Sequence, residues 1–182
     1  MSEVSERYAR IADDFTTRLQ GVSSDQWSAP TPCTEWTAGD LVGHVIGTHR
    51  RVMAALDGTE PAPVNPDADQ LQEWATAKGA VSEALEDRSK ATQTVSGIFG
   101  EQPFESLVGR LLCTDTLIHT WDLARGTGQQ EDLDPLAVMK AMEFLTPIDD
   151  AIRGPGRFAA KIQPAPDAGD QARLLNFSGR AV

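Results

Sequence analysis

One predicted helix in this sequence carries polar, metal-capable side chains on the face that should be apolar. Between residues 108 and 122 the apolar positions recur every three or four residues, as in a helix that buries one face. The apolar members are Val108, Leu111, Leu112 and Ile118. At about 100° per residue, Asp115, His119 and Asp122 fall within the same stripe. Because burying such groups unpaired is costly, this helix must fold against something that satisfies them.

The spacing of Asp115 and His119 indicates what that partner is. Two side chains four residues apart on a helix lie one above the other, about 40° apart around the axis. A carboxylate and an imidazole in that arrangement can reach a single ion. We therefore predict a divalent metal that is completed by a histidine from another helix. The alternative is a hydrogen-bonded Asp–His pair in the core, without metal.

The sequence has three histidines, so the choice of the further ligand is narrow. His44 and His49 lie five residues apart on a second predicted helix, about 140° around its axis. The two histidines therefore cannot easily bind the same ion together with Asp115 and His119. His49 falls near the centre of that helix's apolar face, and His44 lies at the edge. Periodicity therefore slightly favours His49 and leaves the choice open.

Helical periodicity dominates the rest of the chain. Helices are predicted at about residues 3–19, 37–57, 67–87, 105–125 and 134–152, with a short one at 170–177 and an extended segment or short hairpin at 92–104. Thr37 and Asp40 have the spacing of a capping box at the start of the second helix. We predict an all-α fold, an up-down four-helix bundle with a fifth helix and a short C-terminal extension, as a single domain over residues 1–182.

Composition excludes several classes of partner. The formal net charge is −11, from 27 acidic and 16 basic residues, which argues against a nucleic acid or an anionic membrane. No apolar run approaches the ~20 residues that span a bilayer, and no secretory leader pattern precedes the first helix. We predict a cytoplasmic protein, with a homodimer as an open alternative. Cys33 and Cys113 make no disulfide framework; both are predicted to pack as small apolar residues, with a reactive thiol as the alternative for Cys33.

Three stretches of the chain resemble a known family. Residues 27–44 read WSAPTPCTEWTAGDLVGH, and residues 114–125 read TDTLIHTWDLAR. Both resemble motifs of the DinB-like, mycothiol-dependent maleylpyruvate isomerase N-terminal-domain superfamily. The ending, DQARLLNFSGR over residues 170–180, is similar to the close of its stand-alone actinobacterial members. The likeness spans nearly the whole chain.

The resemblance implies a DinB-like bundle and selects among the ligands. In that family a histidine eight residues after the tryptophan of the first motif binds metal, and in this sequence that residue is His44. The other two family ligands match Asp115 and His119. At the second motif the isomerase pattern is Glu-x-x-x-His, and this chain has the shorter Asp115 in place of the glutamate. The isomerase also has a C-terminal domain for which this chain has too few residues, so the isomerisation of maleylpyruvate is not carried over.

Two imidazoles and one carboxylate leave a divalent ion with open positions, as in catalytic sites. Zinc is the first choice, and nickel or iron(II) also suits these ligands. A bound cation deprotonates a coordinated thiol, and the resemblance implies mycothiol as the co-substrate that attacks a small electrophile. Asp122, one turn beyond His119, is the candidate catalytic residue, accepting the free imidazole N–H or orienting bound water; its alternative is an ion pair with Arg125.

We therefore predict a divalent-metal-binding, mycothiol-dependent S-transferase or related detoxification enzyme. Two alternatives belong to other classes. One is a non-enzymatic metal-binding or stress-associated protein whose partner is another macromolecule. The other is a metal-dependent hydrolase that uses a bound water as its nucleophile.

Overall fold

A computed structural model describes residues 2–154 and 158–182. The chain divides into two compact units, Met1–Asp132 and Leu133–Val182, and each is described by itself. The prediction of one domain stays a prediction.

The first unit is built on four long helices. In chain order its elements are α1 (Glu3–Gln20), α2 (Ala38–Asp57), α3 (Gln70–Glu86), α4 (Arg88–Thr92), β1 (Thr94–Gly97), β2 (Gly100–Pro103), α5 (Phe104–Leu107), a π-helical segment (Val108–Leu112) and α6 (Cys113–Thr127). Helices α1 and α2 each pack against both α3 and α6. The predicted all-α, four-helix bundle is therefore confirmed.

The core of this unit forms where the apolar faces of the helices meet. Its largest fully buried side chains include Trp74, Trp121, Tyr8, Phe15 and Phe104. The rings of Phe15 and Trp74 meet edge to face, with centroids 4.8 Å apart. This geometry is favourable for aromatic pairs, and it joins α1 to α3.

A capping box starts α2, the helix that carries His44. The Thr37 hydroxyl accepts the backbone N–H of Asp40 at 3.2 Å, and an Asp40 carboxylate oxygen accepts the N–H of Thr37 at 3.0 Å. The helix ends at Gly58, which adopts a left-handed conformation with φ 66°. Both predicted ends of α2 are confirmed.

Thr37→Ala removes one side of this cap, so we expect it to lower the free energy of unfolding by about 1 kcal/mol. Urea denaturation followed by circular dichroism measures the change. Thr76→Ala is the matched control, since the Thr76 hydroxyl only donates to the Gln72 carbonyl within α3 and caps no helix end. Equal stabilities of the two variants would contradict the capping role.

The segment predicted as extended or a short hairpin is a hairpin. Strand β1 pairs with β2 in antiparallel register from Thr94 opposite Pro103 to Gly97 opposite Gly100. Phe104 begins the next helix directly after β2. The hairpin therefore introduces the helical segment that carries the candidate site.

The predicted fourth helix runs over residues 104–127, and a π-helical segment interrupts its α-helical geometry at Val108–Leu112. A π turn contains an extra residue, so it shifts the faces of the helix relative to a regular α-helical pattern. Leu111, which the pattern placed on the apolar stripe, is only half-buried, whereas Val108 and Leu112 are buried. Beyond the π segment, α6 resumes a regular pattern before Asp115.

The second unit contains α7 (Pro135–Leu145), a 3₁₀ segment (Thr146–Ile152) and α8 (Asp170–Phe177), with α7 packed on α8. The Asp134 carboxylate caps α7 by accepting the N–H of Ala137 at 2.8 Å, and Pro135 occupies the first helical position, as predicted. The start of the fifth helix and the short final helix are confirmed, but α7 ends at Leu145, and the predicted remainder to residue 152 is the 3₁₀ segment, which is interrupted at Ile148. Within the described residues, no helix is long and apolar enough to cross a membrane.

Candidate metal centre

The structure brings the three predicted ligands together between α2 and α6. His44 Nε2 lies 3.2 Å from Asp115 Oδ1, and His119 Nε2 lies 3.6 Å from the same oxygen. One potential ligand atom of each residue lies within 4.8 Å of the others. Because α2 and α6 pack directly against each other, the histidine of one helix reaches the carboxylate and imidazole of the other.

The cluster is mostly enclosed and is most open at His44. Side-chain exposure falls from 28% for His44 to 19% for Asp115 and 8% for His119. The second oxygen of Asp115, Oδ2, is buried and has no hydrogen-bond partner among the described residues. An unpaired buried carboxylate oxygen is costly. A cation at this cluster would satisfy it.

The charges in the cluster are strongly coupled. Burial disfavours the Asp115 carboxylate, but His119 and His44 outweigh it and hold the pKa of Asp115 below its usual value. Burial likewise disfavours the imidazolium of His119, yet Asp115, with Asp122 and Cys33, holds the pKa of His119 well above its usual value. Without metal, these interactions favour a protonated His119 beside an ionised Asp115. Binding a metal through its Nε2 atom must release that proton.

The Trp36 ring encloses one side of the cluster. Its centroid lies 4.6 Å from that of His44 and 5.8 Å from that of His119. Trp36 belongs to the ordered, non-helical crossing predicted before α2, where an isolated bridge joins Pro30 to Thr37. Its indole limits the access of water to both imidazoles.

Asp122 lies on the opposite side of the His119 ring from Asp115. Its carboxylate is fully buried, and Oδ2 lies 2.9 Å from His119 Nδ1, so it accepts the imidazole N–H. Such a contact keeps the proton on Nδ1 and leaves Nε2 to act as a ligand. The alternative partner, Arg125, instead pairs with Glu131 at 2.6 Å. The catalytic role of Asp122 stays a prediction.

Cys33 is the neighbour of the site that sequence reasoning missed. Its half-buried thiol donates to Asp122 Oδ2 at 3.3 Å, and Sγ lies 3.9 Å from His119 Nδ1. Its position in the same motif as Trp36 and His44 was the available signal. Cys113 is buried as predicted, and burial raises the pKa of its thiol to about 12.

His49 lies in the core and outside the cluster. It is fully buried, its Nδ1–H donates to the Val45 carbonyl at 2.8 Å, and its ring lies against those of Tyr8 and Trp74. Burial lowers the pKa of His49 to about 4. The slight preference that periodicity gave to His49 therefore does not match the geometry, which places His44 beside Asp115.

The fold and the cluster define a DinB-like helical bundle with a candidate metal centre between two adjacent helices. A solved structure supports the fold: the crystal structure of a histidine-to-alanine mutant of the mycothiol-dependent maleylpyruvate isomerase. It is similar with a TM-score of 0.60 and 15% sequence identity, over 85% of this chain and 73% of that one. Residues 8–124 match the family model of the mycothiol maleylpyruvate isomerase N-terminal domain, and the chain belongs to this family.

Two proteins of Mycobacterium tuberculosis are similar in sequence, and both are uncharacterized. The first, found in strains CDC 1551 and H37Rv, is 38% identical over 178 residues, which cover 96% of this chain and 96% of the relative. The second is 26% identical over 97 residues, covering 41% of this chain and 37% of the relative. The first likeness extends beyond the matched domain into the second unit.

Proposed function

We propose that this protein binds one divalent metal ion, with zinc as the first choice, through His44, Asp115 and His119. The observation that carries the proposal is the buried, unpartnered Oδ2 of Asp115 beside two imidazoles. Such an oxygen indicates a cation more directly than the Asp–His pairing alone. The alternative of a simple buried ion pair satisfies Oδ1 and leaves Oδ2 without a partner.

We further propose that the protein is an S-transferase that uses mycothiol. Membership of the mycothiol maleylpyruvate isomerase N-terminal domain family supports this thiol as the co-substrate. A divalent ion on two imidazoles and one carboxylate keeps open positions, and when bound it supplies the charge that turns a coordinated thiol into a thiolate. The thiol sulfur would then bond to the electrophilic carbon, and the thiol proton would leave to solvent. In a conjugated alkene the π bond would break and the neighbouring carbon would take up a proton from solvent. In an epoxide the C–O bond would break and its oxygen would be protonated, and in an alkyl halide the carbon–halogen bond would break and halide would leave.

The chain's own residues prepare the site for this chemistry. Asp122 holds the proton on His119 Nδ1, and Trp36 shields the imidazoles from water on one side. Access remains at His44, the most exposed of the three proposed ligands. Small substrates that enter there meet the proposed centre directly.

The first test is the metal content of the full chain, purified without chelator, in wild type and His119→Ala. We expect about one equivalent of a divalent ion in the wild type and its loss in the variant, since one of three ligands is removed. Inductively coupled plasma mass spectrometry measures the content. A wild type that is empty and also fails to bind added zinc would overturn the metal centre.

The second test separates the enzyme classes. The zinc-loaded protein is incubated with mycothiol and a model electrophile, and products are detected by mass spectrometry. A thiol adduct that depends on His119 is expected. Turnover of the electrophile with water alone would indicate a hydrolase instead of a transferase. No product in either assay would favour a metal-binding protein without catalysis.

A further inference from the structure

We infer that Cys33 is a positioning residue for His119 and acts through Asp122. The inference rests on the proposed function, in which His119 binds metal. Two donors meet on one carboxylate oxygen: Cys33 Sγ–H reaches Asp122 Oδ2 at 3.3 Å, and His119 Nδ1–H reaches the same atom at 2.9 Å. The Cys33 thiol thereby holds Asp122 Oδ2 in place, and that oxygen in turn orients the His119 imidazole.

The His119 ring separates two groups of side chains. Its Nδ1 edge faces Cys33 and Asp122, and its Nε2 edge faces Asp115 and His44. Asp115, whose Oδ1 lies on the Nε2 side, also has a buried Oδ2 without a hydrogen-bond partner, which independently supports a cation bound by this carboxylate. The orientation of the ring therefore decides whether Nε2 reaches that cation. Any group that holds Asp122 Oδ2 in place acts on the proposed centre.

Hydrogen bonds hold the backbone of Cys33 in place and so fix the position of its side chain. The Cys33 N–H donates to the Thr31 hydroxyl at 3.2 Å, and the Cys33 carbonyl accepts the N–H of Trp36 at 2.7 Å. The bridge from Pro30 to Thr37 ties the same turn to the start of α2. The Cys33 side chain is therefore supported at the site and does not depend on a mobile loop.

A simple packing role predicts different behaviour from a hydrogen-bonding role. Valine keeps an apolar side chain at this position, one heavy atom larger than that of cysteine, but it cannot donate to Asp122. Serine keeps a donor on a shorter side chain. If Cys33 only packs, valine is the better replacement; if it positions Asp122, serine is the better one.

The experiment compares Cys33→Val and Cys33→Ser in the full chain by competition for zinc with a chromophoric chelator. We expect Cys33→Val to weaken zinc binding about three- to tenfold, which is less than the 10- to 100-fold typical of groups that hydrogen-bond a ligand directly. Cys33→Ser should stay within about twofold of the wild type. Cys113→Ala is the control, since it removes a buried thiol whose charged neighbours lie on α1. Equal affinities in all variants, or equal losses in Val and Ser, would overturn the inference.

A measurement without metal keeps this inference separate from the proposed function. Nuclear magnetic resonance of ¹⁵N-labelled histidine side chains reports the solvent exchange of His119 Nδ1–H in metal-free protein. We expect several-fold faster exchange in Cys33→Val and a rate near wild type in Cys33→Ser. Unchanged exchange in Cys33→Val overturns the inference even if zinc binds. Failure of the wild type to bind zinc overturns the proposed function, and the exchange rates still decide the role of Cys33.

Discussion

Asp115→Asn is expected to weaken zinc binding about 100- to 1,000-fold. Structural zinc sites with four ligands bind with about 10–16 kcal/mol, or about 2.5–4 kcal/mol per ligand if the ligands share it equally. At 1.4 kcal/mol per factor of ten, the loss of one ligand corresponds to about 2–3 powers of ten. Asparagine keeps the shape of Asp115 but removes its negative charge, so the effect tests the charged ligand and not the packing.

Chelator competition in the full chain measures this affinity, with Asp67→Asn as the matched control. Asp67 is exposed in the loop before α3, so its amide variant should bind zinc like the wild type. The metal-free variant offers a second readout. Because Asp115 is the main group that raises the pKa of His119, its replacement should lower that pKa toward the usual value. An Asp115→Asn protein that binds zinc within a factor of ten of wild type would show that the metal has other ligands.

Local sequence signals predicted most of the fold. The capping pattern of Thr37 and Asp40 located the start of α2, and Asp134-Pro135 located the start of α7. These signals depend only on residues within one helical turn, so one sequence is enough to read them. Asp115 and His119 also lie four residues apart on a regular α-helix, as predicted, since both belong to α6 after the π segment has ended.

Features that depend on contacts between elements were not predictable in the same way. Periodicity favours His49 over His44 as a ligand because it indicates only how near a residue lies to the centre of the apolar face of one helix. In the structure that central position places His49 against Tyr8 and Trp74 in the core. The candidate centre lies at the edge of that face, where α2 meets α6. Only the resemblance to the family indicated His44 from sequence.

The π segment had no local signal of this kind, and the signal for Cys33 was its place in the motif that also holds Trp36 and His44. The shift of Leu111 off the apolar stripe comes from an extra residue per turn, which the apolar spacing did not reveal. Cys33 and Asp122 lie 89 residues apart in the chain, and their contact arises only when the crossing before α2 packs beside α6. Sequence patterns within single helices carry no information on that contact.

Acidification from pH 7 to pH 5 should destabilise the metal-free protein through His49. The pKa of His49 is about 4 in the folded protein because burial disfavours its charge, and it is near 6.5 when the chain is unfolded. Above pH 6.5 His49 is neutral in both states, so its contribution to stability is fully present. Below pH 6.5 His49 takes up a proton in the unfolded chain but stays neutral in the folded protein. The free energy of unfolding therefore falls by about 1.4 kcal/mol per pH unit. The expected loss at pH 5 is about 2 kcal/mol.

Urea denaturation at both pH values, in wild type, His49→Gln and His49→Phe, isolates this contribution. Glutamine removes the titration, and phenylalanine also keeps a ring between Tyr8 and Trp74. Other groups titrate in the same range, His119 with the opposite sign, because its raised pKa gives stability that is lost as the pH rises. Those groups are shared by all three proteins, so they cancel in the difference between each variant and wild type. Both variants should lose about 2 kcal/mol less than wild type on acidification, whatever their stability at pH 7. Parallel losses in all three proteins would mean that His49 takes up its proton as readily in the folded core as in the unfolded chain.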